Sequence, residues 1–209
     1  MKKMSYYIGF IIVFIFINTH IAHSQTYIAE LEKFREQYKR DLLADDQLPL
    51  DADDIQHLHF YAIDSNYRVV AQAERIHDPV PLTIPTYSGI TKKYIRYAQL
   101  KFYLFGQHME LTLYKSVDLL NNPMYADYLF LPFTDRSNGD ESYEGGRYID
   151  LKTQDFKGNA IVLDFNKAYN PYCAYSEGYN CPIPPKENTL PIEIKAGEKK
   201  YTGKHKQRI

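Results

Sequence analysis

The sequence predicts a mainly β domain of the α+β class. The expected form is an antiparallel sandwich or partly closed barrel with an N-terminal amphipathic helix packed on it. Three observations lead there. From His57 onward apolar residues recur with a period of two, as in half-buried strands. These runs are short and are punctuated by Gly, Pro and Asn. The one sustained helical period, residues 26–43, precedes all of them.

Taken in order, the chain opens with the pattern of a signal peptide over residues 1–24. Lys2 and Lys3 supply the positive end and residues 8–17 an apolar run. Ala22, His23 and Ser24 place small residues where a signal peptidase reads. The apolar run is about half the ~20 residues that span a bilayer, and polar sequence follows it. Cleavage after Ser24 is therefore expected, with Gln25 as the new N-terminus and no stable membrane anchor afterwards. An exported protein, periplasmic or secreted, follows from that leader.

Residues 25–209 are then expected to form a single β-rich domain. In its helix, Tyr27, Leu31, Phe34, Tyr38 and Leu42 recur at steps of three and four. Pro49 and the aspartates around it break the chain, and Asp51 can cap a short turn through Ile55. Val69, Ala71 and Ala73 mark one strand face, Leu100, Phe102 and Leu104 a second, and Met109, Leu111 and Leu113 a third. Gly106-Gln107 is placed to turn a hairpin between the last two. Further strands are expected near 82–87, 127–133, 147–152, 160–165 and 192–196, with Gly158-Asn159 as another turn. The basic tail, residues 199–209, is expected to fray.

Charge excludes some functions. The chain has 25 basic and 26 acidic residues; without Lys2 and Lys3 that becomes 23 against 26, a net of −3. Such a domain has no electrostatic reason to bind nucleic acid or an anionic membrane. No cofactor motif is present. Counting from Asp135, the acidic loop misses the calcium-loop pattern, because Gly146 stands where the twelfth-position Glu belongs. His57 and His59 share one strand face but lack a nearby third ligand, so no metal site is expected.

The densest information lies in residues 164–188, which hold both cysteines, four tyrosines, four prolines and four asparagines. In an oxidising compartment Cys173 and Cys181 are most simply a disulfide; free structural thiols, a metal pair and a nucleophile are the rivals. Asp164, Asn166 and Asn170 offer hydrogen-bonding groups, and Tyr169 and Tyr175 offer flat faces with hydroxyl tips. Arg147 follows two glycines at the start of a strand. Its guanidinium could clamp the carboxylate of a ligand, or Asp164 or Asp135 of the chain itself.

Three groups of residues carry a family resemblance. They are 129–135 (Leu-Phe-Leu-Pro-Phe-Thr-Asp), 145–148 (Gly-Gly-Arg-Tyr) and 164–171 (Asp-Phe-Asn-Lys-Ala-Tyr-Asn-Pro). With Cys173-Ala174-Tyr175-Ser176, 181–185, Glu187-Asn188 and Ala196-Gly197-Glu198, they resemble the blocks of a bacterial family catalogued as domain of unknown function 1684. The resemblance covers most of the chain from the helix to about Glu198 and implies no particular activity. It also implies relatives that lack a leader yet keep both cysteines, which raises the standing of a structural or ligand-related thiol pair.

The functional expectation is a binding protein. Arg147, Asp164, Asn166, Tyr169, Asn170 and Tyr175 would line a pocket for a small polar or anionic molecule. The alternatives are a hydrolase-like enzyme with Asp164 or Asp135 as general base, and a structural domain without a small ligand.

Overall fold

The structure, a computed structural model, describes residues 25–48 and 50–207. The expected leader and its cleavage point lie outside those residues. The chain falls into two compact units, one up to Arg40 and one from Asp41 onward. A helix, α1, runs over residues 25–44, as its period requires.

After α1 comes α2 (Ala52–Ile55), in the second unit, capped as its sequence predicts. The Asp51 side chain accepts from the Asp53 and Asp54 amides, and Asp54 returns a bond to the Asp51 amide. Among the described residues seven strands follow: β1 (Arg68–Arg75), β2 (Leu82–Pro85), β3 (Thr91–Leu104), β4 (Gln107–Ser116), β5 (Tyr128–Phe133), β6 (Arg147–Lys152) and β7 (Ala160–Asp164). All pair antiparallel in one sheet of order β6-β5-β4-β3-β1-β7, with β2 also on β3. The sheet curls into a half-barrel, so of the two expected forms it takes the partly closed one.

The length of β3 explains the curl. Its first residues pair with β2 and its later residues, Ala98 to Lys101, with β1. Its register against β4 slips between Arg96 and Ala98. A bulge there adds local twist and bends the strand. The β3–β4 hairpin turns at Phe105-Gly106, one residue earlier than the expected Gly106-Gln107, with Phe105 itself at φ 50°. Gly158-Asn159 does turn the chain, between the bridged residues Lys157 and Ala160.

The two faces of the sheet are packed differently. Leu100, Leu111, Leu113, Leu129, Leu131, Phe133, Ile149 and Leu163 form the main core on the inner face, joined by Phe165, Ile194 and Ala196. Burying one such Leu or Phe stabilises by roughly 1.5–3 kcal/mol. On the outer face Ile84, Tyr94, Tyr114, Phe130 and Tyr148 form a second, aromatic cluster. The segment 181–190 crosses this face. It pairs with the end of β2 through Ile183 N–H to Pro85 O at 2.8 Å. It then reaches the end of β5, where Thr134 N–H donates to Asn188 O and Leu190 N–H to Thr134 O.

Asn188 does a strand's work there. β4 and β5 share one ladder position, Tyr114 with Phe130. Beyond it the Asn188 side chain fills the gap. Its Oδ1 accepts from Thr112 N–H at 2.7 Å, and its Nδ2 donates to Thr112 O at 2.8 Å and Pro132 O at 2.7 Å. Buried backbone groups that would otherwise lack partners are thereby satisfied.

Two expectations change. Residues 192–196 form no strand, because their polar backbone groups go to a side-chain pair described below. The tail is tied down rather than frayed through residue 206. Lys206 N–H donates to Tyr175 O, Glu177 N–H to Lys206 O, and the Lys206 ammonium meets Asp51 and Asp54.

Candidate functional site

Arg147 enters the inner face at the first position of β6. Its side chain is 0% exposed, as is that of Asp135. Nη2 donates to Asp135 Oδ2 and to Ile194 O, both at 2.8 Å. Nη1 donates to Ala196 O at 2.6 Å and Glu198 O at 3.1 Å. The other Asp135 oxygen accepts from the Ser137 amide and hydroxyl and from Ile194 N–H. The guanidinium carbon lies 5.5 Å from the Phe133 ring centre and 5.9 Å from that of Tyr61, within cation–π reach. The carboxylate that Arg147 holds therefore belongs to this chain, and it is Asp135 rather than Asp164.

Two glycines make the hub possible. Gly146, at φ +84°, sits where an added Cβ would lie 2.6 Å from Phe133 O. Gly197, at φ +76°, separates the two carbonyls that Nη1 takes, and its Cβ would lie 2.5 Å from Ala168 O. Any side chain at either position is strained by backbone conformation and by contact.

The 164–175 loop folds beside this hub and fills the space next to it. Asp164 accepts from Asn166 N–H and Nδ2 and lies 4.0 Å from the Arg68 guanidinium. Asn166 is fully buried and exchanges two bonds with the Asp64 backbone. Asn170 and Tyr175, also fully buried, bind the two oxygens of Glu198: Asn170 N–H to Oε2 at 2.9 Å, and Tyr175 hydroxyl to Oε1 at 2.6 Å. Glu198 was legible only as part of a motif, yet it latches the loop to the hub. Tyr169 pairs with Tyr148 through two backbone bonds and extends the sheet beyond β6. Of the six residues expected to line a pocket, Arg147, Asn166, Asn170 and Tyr175 are thus fully enclosed. Cys173 and Cys181 are joined as a disulfide, with Cα atoms 6.3 Å apart.

Two groupings open to solvent escaped the sequence reading. The first is a cleft of about 320 Å³ beside the disulfide, with Cys173 and Ala174 as its floor. Tyr143 and Tyr201 line it with Glu144, Lys200 and His205. The Tyr143 hydroxyl donates to Cys173 O, and His205 Nε2 lies 3.1 Å from the same carbonyl. Lys200 stands 3.9 Å from Glu144. Burial pushes the Tyr143 phenol well up, so it stays a neutral donor. Its members come from segments far apart in sequence, so no spacing could announce it.

The second is on the outer face of β6. Asp150 Oδ1 accepts from the hydroxyls of Tyr128 and Tyr169, each at 2.8 Å. The residue is exposed, yet the rings around its carboxyl desolvate it and raise its pKa, against the lowering pull of the Tyr169 and Tyr128 hydroxyls. Glu187, on the same face, is built otherwise. Arg96 grips it bidentately at 2.8 and 3.1 Å, and the Tyr114 hydroxyl donates to it. The Arg96 hydrogen bond is the main cause holding the Glu187 carboxyl below its ordinary value.

With this geometry in view, comparison with known proteins is specific. Residues 53–199 match the family described as protein of unknown function (DUF1684). The chain belongs to that family. The motifs quoted above for Asp135, Arg147 and the 164–171 block fall inside the matched DUF1684 region. A solution NMR structure of an uncharacterized protein from Haloarcula marismortui is similar, with a TM-score of 0.64 and 32% identity over 84% of this chain and 95% of that one. No curated protein matches.

Proposed function

We propose that this member of the DUF1684 family is an exported binding domain that takes a small polar or anionic ligand in the cleft beside Cys173. Lys200 and His205 would meet a negative group, and Tyr143 and Tyr201 would offer ring faces and hydroxyls. The observation that carries this reading is the contrast in access. Arg147 is sealed with Asp135, whereas the cleft presents exposed Lys200 and His205 over the 164–175 loop. A general base must reach a proton on its substrate. Asp135 is closed off beneath Arg147, and Asp164 is engaged with its own turn, so neither favours the hydrolase reading.

The test is a thermal-shift screen of anionic and polar metabolites on residues 25–209. Ligands that raise the melting temperature of the wild type are expected to lose that effect in Lys200→Ala/His205→Ala, whose unliganded melting temperature stays near wild type. Shifts that survive the double variant would remove the cleft from the reading, and a broad screen without hits would remove the ligand. Export is checked by N-terminal sequencing of the protein recovered outside the cytoplasm, which should begin at Gln25.

A further inference from the structure

We propose that Asp150, with Tyr128 and Tyr169, forms a site for an organic ammonium group, separate from the cleft and opposite to it in charge preference. The argument starts from the alternation of β6. Arg147, Ile149 and Leu151 face the core, so Tyr148 and Asp150 face outward. Asp150 sits opposite Phe130 of β5, and Tyr128 reaches it diagonally from that strand. Tyr169 reaches it from the opposite side, where its segment pairs with β6. A carboxylate is therefore set between two phenols on an aromatic floor of Phe130 and Tyr148.

Both phenols donate to one oxygen, Oδ1, which fixes the carboxylate's orientation. The other oxygen takes no hydrogen bond, and no cation lies within 4.0 Å, among the described residues. The lysine two residues on, Lys152, stands instead 4.0 Å from Asp127. Glu187 provides the internal comparison. It has the same face and a tyrosine donor, but its charge is met by Arg96. Asp150 is the same construction without the arginine.

That combination selects a class of ligand. An ammonium nitrogen can sit on the open carboxylate oxygen, while its alkyl carbons lie against electron-rich ring faces. A calcium ion wants six to eight oxygen ligands, and one carboxylate flanked by two phenols does not supply them. An anion is repelled. The ammonium could belong to a free alkylamine or to a lysine side chain of another polypeptide, and both share this chemistry.

The experiment uses the mature protein, residues 25–209, and follows tyrosine ring resonances by NMR while n-butylammonium chloride is added, with sodium chloride at equal ionic strength as the control. A short lysine-containing peptide forms a second arm and separates the two sources. We expect saturable shifts at Tyr128 and Tyr169, weakened about tenfold or more in Asp150→Asn and less in Tyr169→Phe. Asparagine keeps the acceptor oxygen for the phenols, and an unchanged melting temperature verifies that the face is intact. Should Asp150→Asn unfold, Asp150→Glu serves in its place and should displace the ligand while keeping its charge. Absence of saturable shifts, or equal affinity in wild type and Asp150→Asn, overturns the site. Loss of anion binding at Lys200 and His205 would leave these outcomes unaffected.

Discussion

Arg147 and Asp150 stand three residues apart on β6 and face opposite ways, and the two faces have been finished differently. On the inner face the arginine and its aspartate are closed off, each oxygen and both terminal nitrogens supplied with partners by the chain. On the outer face a carboxylate is held by two phenols and left with one side to solvent. The lesson concerns what distinguishes a keystone from a site. Residue type does not do it, since an arginine is as good a ligand clamp as a carboxylate is an amine acceptor. What distinguishes them is whether hydrogen-bonding capacity is left facing solvent after folding.

The largest expected effect tests that distinction directly. Arg147→Met should destabilise the fold by about 3–5 kcal/mol, because it strands the Asp135 charge in the core and removes the donor from three carbonyls. Adding Asp135→Asn should recover part of the loss, since the buried charge then disappears. Asp150→Asn should change stability by no more than about 0.5 kcal/mol, as for an ordinary surface position. Urea midpoints of the variants decide it, and equal losses for Arg147→Met and Asp150→Asn would erase the contrast between faces.

A second, smaller effect concerns the disulfide that shapes the cleft floor. Its reduction should lower stability by roughly 2–3 kcal/mol through the freed loop. The hub should keep its structure, because the loop is also latched by Glu198 to Asn170 and Tyr175. Hydrogen exchange under reducing conditions would show faster exchange confined to 172–183; spread of that exchange to β6 would mean that hub and cleft are one cooperative unit.

Next in size is Asn188→Ala, expected to cost about 1–3 kcal/mol, because it leaves the Thr112 amide and two buried carbonyls without partners where β4 and β5 diverge. Asn188→Asp should rescue little, since a carboxylate accepts but cannot donate to Thr112 O and Pro132 O. Equilibrium denaturation of both variants checks this, and near-wild-type stability for either would show that β4 and β5 can close without the plug.

How much of this could be read beforehand follows the physics of each feature. Strand faces were readable because Ala71, Leu100, Leu111 and their neighbours alternate, and a sheet with one buried face imposes that alternation. The Asp51 cap was readable because capping is local. The β3–β4 turn slipped by one residue because Phe105 adopts a positive φ that side chains seldom take, so the glycine beside it drew attention one step too far along. Residues 192–196 alternate like a strand, but period two cannot separate a ladder from a segment whose carbonyls belong to Arg147. The candidate sites were least readable. The sequence marks Arg147 as a clamp and leaves a ligand carboxylate, Asp164 and Asp135 all open as its partner, because its closure onto Asp135 depends on how the 134–146 loop folds. Asp150 looked like any exposed strand residue, because the phenols that frame it come from Tyr128 and Tyr169, both distant in sequence.

The smallest effect is also the sharpest probe of the outer face, because its two carboxylates should respond to acid in opposite senses. Glu187 has a folded pKa below its ordinary value, so its contribution is present above the ordinary carboxylate range and is lost as pH falls through the lowered value. Asp150 has a raised folded pKa. The folded state then holds the proton more tightly than the unfolded one, and stability falls as pH rises from the ordinary aspartate value through the raised one. Urea midpoints measured from about pH 2 to 6 should therefore show a weaker acid-induced loss in Glu187→Gln and a stronger one in Asp150→Asn, each relative to wild type. Both residues accept tyrosine hydroxyls, so the hydroxyls cannot produce opposite signs; burial, which dominates at Asp150, and the Arg96 hydrogen bond, which outweighs burial at Glu187, can. If the two variants moved the pH dependence in the same direction, the missing cation would not be what sets Asp150 apart, and the case for an ammonium partner there would lose its internal control.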